Sequence, residues 1–287
     1  AAVMTNRPET VVAMLAATSI GAVWTSCSPD FGIEGIIDRI GQVKPKILFA
    51  VGGYQYGGKH FDLTENILSL SKKINSLNQI ILVQESPLKE INAIPEIVNF
   101  EDCLLNDNDL QFESLPFNHP LFIMYSSGTT GKPKCIIHGA GGTLLQHLKE
   151  HRLHTNIKKN DRVFFFTTCG WMMWNWLVSA LATEATIVLY EGSPFFPDPN
   201  HLWKIAEEEK INIFGVSPRY LSSLMKEKHE PRKHNDLSSI KTILSTGSPL
   251  LVDHFEYIEK SIKDNTQISS ISGGTDIISC FALGNPN

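Results

Sequence analysis

Between Tyr125 and Lys134 the chain gathers four hydroxyl side chains (Ser126, Ser127, Thr129, Thr130), two glycines (Gly128, Gly131) and two lysines (Lys132, Lys134). Glycine lets backbone N–H groups turn toward a ligand, hydroxyls add donors, and lysines add positive charge. A loop of this make-up suits a polyanion such as a nucleoside triphosphate. The spacing excludes the ordinary P-loop, because Gly128 and Gly131 are too close and Pro133 stands where that motif has its metal-binding hydroxyl. The bland alternative is a surface turn between the apolar flanks Leu121–Met124 and Ile136–Ile137. Such a turn has no need of hydroxyls and lysines together.

Other constellations carry weaker chemistry. Gly273–Ile277 reads as a turn whose Thr275–Asp276 pair could serve a phosphate and a hard cation such as magnesium, which favours carboxylate oxygen. Gly170–Trp176 concentrates three tryptophans and two methionines, either as a core helix or as the wall of a small acyl pocket with indole N–H groups and Asn175 turned to a polar substrate atom. His147–His151 has the His-x-x-Glu-His spacing of an inverzincin zinc site, and a zinc peptidase is the rival enzyme class. Lys149 and Arg152 beside Glu150 equally suggest a solvated helix face. His138–Gly142 lacks the third glycine of a dinucleotide loop, and no Gly-x-Ser-x-Gly elbow occurs, which disfavours a serine hydrolase.

Alternating helix and strand patterns must position these residues. Asn6 is the expected cap of a helix that Gly21 closes. Strands are expected at Ile47–Val51, Ile80–Val83, Leu121–Tyr125, Val163–Thr167, Thr186–Tyr190, Asn212–Val216, Thr242–Thr246 and Gln267–Ser270, with helical spacing between most of them. Pro87–Phe117 reads as an irregular connection. The predicted class is therefore α/β, with helices packed on parallel-rich β-sheets. Ligands in such folds sit beyond the C-terminal ends of strands, where Ser126, Gly247 and Gly273 fall.

At 287 residues with 42% hydrophobic and 19% charged content, the chain can bury a sizeable core. A formal net charge of −5 gives no general attraction to nucleic acid or anionic membranes, so neither partner is expected. Five scattered cysteines, without a Cys-x-x-Cys pair, suggest reduced thiols and a cytosolic setting. The apolar run Val11–Cys27 falls short of a membrane span. Both ends read as interior points of a longer protein.

The Tyr125–Lys134 run resembles the phosphate loop of adenylate-forming enzymes, the acyl-CoA synthetase and luciferase-like superfamily. With Pro133–His151, Gly170–Trp176, Ile243–Leu250, Ser270–Phe281 and Ala16–Gly32, the chain is similar throughout to the acetoacetyl-CoA synthetase family within it. Cys135, where glycine commonly follows the lysine, and Asp276, where glutamate is commoner, depart from the broad pattern. The resemblance implies an acid–thiol ligase that uses ATP, magnesium and coenzyme A on a small carboxylic acid. Ser126, Ser127, Gly128, Thr129, Thr130, Gly131, Lys132 and Lys134 would hold the β- and γ-phosphates. Thr275 would touch the α-phosphate and Asp276 would hold magnesium, so that Lys134, Thr275 and Asp276 form the catalytic set. Gly247, Ser248 and Pro249 would lie along the adenine. Trp171, Met172, Trp174, Asn175, Gly273 and Gly274 would shape the acid pocket, and Lys59 is a candidate partner for a coenzyme A phosphate. The resemblance further implies that residues 1–287 are part of an N-terminal AMP-binding domain, with 1–117 and 118–287 as sub-units, and that the hinge, the ribose-binding aspartate and a C-terminal lysine lie downstream. Another short-chain acid as substrate, or an adenylate-binding scaffold without catalysis, are the readings that remain beside it.

Overall fold

The computed structural model describes residues 1–83, 96–104, 109–126 and 131–286. In chain order its strands are β1 Ala2–Val3, β2 Ser26–Cys27, β3 Ile47–Val51, β4 Gly53–Tyr56, β5 Lys59–Asp62, β6 Gln79–Val83, β7 Glu96–Asn99, β8 Pro120–Ser126, β9 Lys134–Gly139, β10 Arg162–Phe165, β11 Thr186–Val188, β12 Ile213–Val216, β13 Thr242–Ser245, β14 Gln267–Ser270, β15 Ser272–Gly274 and β16 Ser279–Ala282. The helices are α1 Pro8–Ser19, α2 Gly32–Val43, α3 Thr64–Lys73, α4 Ala140–Lys149, α5 Met172–Ser179, α6 His201–Glu208, α7 Pro218–Lys226 and α8 Val252–Tyr257. Two compact units result, residues 1–142 with 168–171, and residues 143–167 with 172–287.

The first unit is built on a parallel sheet in the order β2-β1-β3-β6-β7. Leu48, Ala50, Ile80 and Leu82 are buried along its two central strands, so the continuous apolar runs ILFAV and QIILV behave as fully covered parallel strands do. The irregular connection expected after Val83 is wrong in part, because Glu96–Asn99 pairs with β6 and extends the sheet. The hairpin of β4 and β5 was not foreseen either. Arg7, not Asn6, precedes α1, and its side chain makes no capping bond. The strand before the hydroxyl-rich run also differs from expectation. It pairs antiparallel with β9, Ser126 opposite Lys134, and its parallel pairing is a single bridge between Phe122 and Trp24.

The second unit carries the parallel sheet β11-β10-β12-β13-β14. Its core is aromatic. Phe164 of β10 stacks on its cross-strand partner Phe214 of β12 at 5.1 Å, and Trp203 of α6 stacks on Phe214 at 4.4 Å. Each such fully buried side chain contributes about 1.5–3 kcal/mol. The helical periodicity of His201–Glu208 and Pro218–Lys226 places Leu202, Ala206, Leu221 and Leu224 on this sheet. Ser217 caps α7 by accepting from the Tyr220 amide, and Pro218 sits at the first helical position, where its missing N–H costs nothing.

Candidate active site

In the first unit the described part of the hydroxyl-rich run is an antiparallel hairpin. Ser127, Gly128, Thr129 and Thr130 lie outside the described residues. Gly131 has φ +106, a left-handed value that glycine tolerates. Lys132 and Lys134 are exposed. The loop's return limb is held by one face of α2: Asp38 pairs with Lys132 at 3.1 Å, and Gln42 donates to the Pro133 carbonyl at 2.8 Å. Tyr125 is anchored inward, its hydroxyl 2.8 Å from Thr25 Oγ1, and burial pushes its pKa above the ordinary value. A hairpin and a phosphate-binding loop are thus not rival readings here. The hairpin is the frame that presents the two lysines to solvent. Lys59 opens β5 and is exposed.

In the second unit two further expected segments are brought together. Gly247–Pro249 follows β13 and Gly273–Asp276 follows β14, its neighbour in the sheet. Thr246 Oγ1 donates to the Ile271 carbonyl at 2.9 Å, the Ile271 amide to the Ser245 carbonyl at 2.8 Å, and the Leu250 amide to Ser270 Oγ at 3.3 Å. Gly247 has φ +99, a conformation that opens the segment where other residues resist. Gly247, Ser248 and Pro249 are exposed. Thr275 and Asp276 form a short helical turn closed by the Ile278 amide on the Thr275 carbonyl at 3.2 Å, and Asp276 is exposed. An exposed lone carboxylate beside a hydroxyl fits a magnesium ion that keeps most of its waters and leans on substrate phosphates.

The tryptophan-rich segment is divided between the units. Trp171, half-buried, belongs to the first. Met172, Trp174 and Asn175 belong to the second and are buried on α5, as are all its residues through Val178. One of the indole N–H groups expected to meet substrate is otherwise engaged: Trp176 Nε1 donates to Glu150 Oε2 at 2.9 Å.

That bond belongs to a buried polar cluster which neither reading of His147–His151 foresaw. The face is not solvated, since His147, Glu150 and His151 are at most 2% exposed. Nor are its donors free for zinc. His147 Nδ1 lies 2.8 Å from Ser179 Oγ and its Nε2 2.8 Å from the Ile278 carbonyl, while His151 Nε2 lies 2.9 Å from Ser179 Oγ. A carbonyl only accepts, so Nε2 of His147 carries the proton. Among the described residues no group of three His, Cys, Asp or Glu is placed to hold a metal ion. Burial pushes the His151 pKa down to about 3, helped by the neighbouring His147. Glu150 Oε1 accepts from Ser279 Oγ at 2.5 Å and from Gln146 Nε2 at 2.9 Å, with the Cys280 amide at 3.3 Å and thiol at 3.2 Å. Burial alone would raise the Glu150 pKa. The bonds from Ser279, Cys280, Gln146 and Trp176 outweigh it and hold the carboxyl below its usual value. The Cys280 thiol is pushed up to about 12 by burial and by the Glu150 charge beside it.

A family profile described as AMP-binding enzyme matches residues 1–286. The chain belongs to the AMP-binding enzyme family. The chain is 48% identical over 288 residues to the acetoacetyl-coenzyme A synthetase of Rhizobium meliloti (strain 1021), a match that covers 100% of this chain and 44% of the relative. It is 50% identical over 284 residues to the acetoacetyl-CoA synthetase of Gallus gallus, covering 96% and 43%. Among solved structures it is similar to acetoacetyl-CoA synthetase from Streptomyces lividans, with a TM-score of 0.94 and 42% identity, covering 99% of this chain and 44% of that one. The chain therefore spans less than half the length of the relatives it matches. The resemblance first read from the motifs holds along this chain, and the α/β class with parallel sheets is the one observed.

Proposed function

We propose that the protein to which this chain belongs activates acetoacetate with ATP and transfers it to coenzyme A, and that the chain supplies part of its AMP-binding domain. A carboxylate oxygen of the acid attacks the α-phosphorus of ATP and pyrophosphate leaves. The thiol sulfur of coenzyme A then attacks the acyl carbon and AMP leaves. A free carboxylate is a poor electrophile, and adenylation gives it a leaving group. The protein's share is positioning and charge stabilisation.

The likeness to acetoacetyl-CoA synthetases over the whole chain carries this reading. In it, Ser126–Lys134 binds the β- and γ-phosphates, with Lys134 countering their charge. Thr275 donates to the α-phosphate. Gly247, Ser248 and Pro249 flank the adenine, and their place beyond β13, beside the Gly273–Asp276 segment, suits them to one end of a nucleotide. Asp276 would hold magnesium, which when bound offsets phosphate charge. Trp171, Met172, Trp174, Asn175, Gly273 and Gly274 shape the acid site.

The test is acid-dependent exchange of pyrophosphate into ATP by the full-length protein with acetoacetate, acetate and butyrate. Acetoacetate is expected to give the highest kcat/KM by about tenfold or more, a difference of ~1.4 kcal/mol. Equal or better exchange with acetate or butyrate would replace the substrate, and no exchange with any acid would leave an adenylate-binding scaffold.

A further inference from the structure

The buried cluster at the end of α4 faces Ile278, Ser279 and Cys280, which begin one residue beyond Thr275–Asp276. His147 Nε2–H donates to the carbonyl of Ile278. Gln146 Nε2 and Glu150 both meet the Ser279 hydroxyl. Glu150 also accepts from the Cys280 amide. Residues one, three and four apart on one helical face thus grip three consecutive residues of another segment. Glu150 opens a five-residue π-helical turn, Glu150–His154, at the end of α4, a local widening often found where a side chain must be aimed.

The gripped segment needs holding. Ile278 is a β-branched residue with φ +48, a left-handed backbone that such residues resist. Its amide closes the Thr275–Asp276 turn, and its carbonyl is the group His147 fixes. Stability alone does not call for a carboxylate here. Among the described residues Glu150 has no Lys or Arg ion-pair partner, and apolar replacements of buried charges are often neutral or stabilising. What a carboxylate adds is an acceptor that several donors from three segments can share, fixing their mutual geometry.

We infer that Gln146, His147 and Glu150 are positioning residues for the Thr275–Asp276 turn, acting through Ile278, Ser279 and Cys280. The inference rests on the adenylation reading for its kinetic consequence, though not for its structural one.

The experiment uses His147→Gln and His147→Asn in the full-length protein. A glutamine side chain carries its amide nitrogen about as far out as Nε2 and can still donate to Ile278, whereas asparagine reaches only about as far as Nδ1. Amide hydrogen exchange over 275–280 is read without nucleotide, and kcat and KM for acetoacetate are read by pyrophosphate exchange. In His147→Asn, exchange over 275–280 is expected to speed up and kcat to fall about tenfold or more, with KM within about twofold, since small misplacement of reacting groups acts on rate. His147→Gln should recover protection and kcat to within about threefold of wild type. Equal behaviour of the two variants overturns the inference, because both lose the imidazole ring and only glutamine can still reach the Ile278 carbonyl. If His147→Asn does not fold, Ser279→Ala serves in its place: faster exchange over 275–280 is expected, and unchanged protection overturns the inference. Asp276→Asn is the control. If it leaves pyrophosphate exchange untouched, the role given to Asp276 falls; if the wild type gives no acid-dependent exchange, the adenylation reading falls and the hydrogen-exchange comparison alone decides the positioning role.

Discussion

The carbonyl oxygen of Ser279 occupies the space where a β-carbon on Gly273 would stand. A Cβ built there overlaps that oxygen and comes within 2.6 Å of Cys280 Cα. Gly273 pairs with Cys280 across the β15–β16 ladder, beside a register shift between Ser272 and Gly273. Glycine is therefore required at 273 by close backbone approach, whether or not the position also borders the acid site. Gly274 differs. Its backbone is extended at φ −165, and the nearest atom to an added Cβ is Asp276 Oδ2 at 3.6 Å.

These two glycines give a paired prediction. Gly273→Ala should destabilise the protein by about 1–3 kcal/mol and impair acetate and acetoacetate use alike, because strand β16 must shift. Gly274→Ala should change stability by no more than about 0.5 kcal/mol. Gly274→Val, if the position lines the acid pocket, should depress kcat/KM for acetoacetate more than for acetate, since a clash discriminates by size. Thermal midpoints and kcat/KM with both acids decide. A harmless Gly273→Ala would refute the close-approach account, and equal losses on both acids in Gly274→Val would remove Gly274 from the pocket.

Lys134 stands at the start of β9, opposite Ser126, with its side chain exposed. An ammonium to phosphate hydrogen bond is worth about 1.5–3 kcal/mol. Lys134→Ala should slow adenylate formation about tenfold or more while leaving the thermal midpoint unchanged. Pyrophosphate exchange at the wild-type rate would take Lys134 out of the phosphate site. Asp38→Asn, which removes the surface partner of Lys132, should cost no more than about 1 kcal/mol of stability.

Many elements of the second unit were legible, because strands such as Ile213–Val216 are short apolar runs and helices such as His201–Glu208 and Pro218–Lys226 carry an apolar stripe at 3.6-residue spacing. The loop beyond β13 was legible from the Ile243–Leu244 pair before it, whereas β14 holds a single apolar residue and the loop beyond it was marked by its own Gly273–Asp276 residues. What escaped was burial imposed from far away. Gln146–Glu150 has the polar make-up of a solvated face, and residues far along the chain, from Trp176 and Ser179 to Ile278 and Ser279, turn it into an interior. No local pattern encodes those contacts. Gly273 was ambiguous for a related reason: its partner Ser279 lies across a bulged hairpin whose short strands have no periodic signature. In β7, by contrast, Asn- and Asp-rich surroundings hid a strand whose pairing to β6 comes from the sheet edge and not from its own propensity.

Asp276 is tested through the ion it is proposed to hold. Asp276→Asn keeps the size of the side chain and removes its charge. The magnesium concentration giving half-maximal pyrophosphate exchange should rise about tenfold, equivalent to ~1.4 kcal/mol, with the thermal midpoint unchanged because the residue is exposed. A normal magnesium dependence would make Asp276 a turn residue only.

His151 makes the second unit sensitive to mild acid. Its ring is fully buried, 4.2 Å edge-on from the Trp176 ring, with His147 beside it and Glu150 next to it in the chain. Its pKa falls from the ordinary 6.5 to about 3. Between these values the unfolded chain binds a proton that the folded chain refuses, so stability is level above pH 6.5 and declines as pH drops below it. The limiting slope is about 1.4 kcal/mol per pH unit, or about 2 kcal/mol lost by pH 5. Glu150 does not confuse this window. Its folded pKa is depressed, so the stability it contributes is present above the ordinary carboxyl value of 4.5 and is lost only below it. His151→Phe keeps the ring contact with Trp176 and has nothing to protonate. It should be less stable than wild type at pH 8, having lost the bond to Ser179, yet its stability should stay nearly level from pH 8 to pH 5. The measurement is urea unfolding of the full-length protein at several pH values, followed by tryptophan fluorescence. A variant that declines with pH as steeply as the wild type would show that the acid sensitivity arises elsewhere.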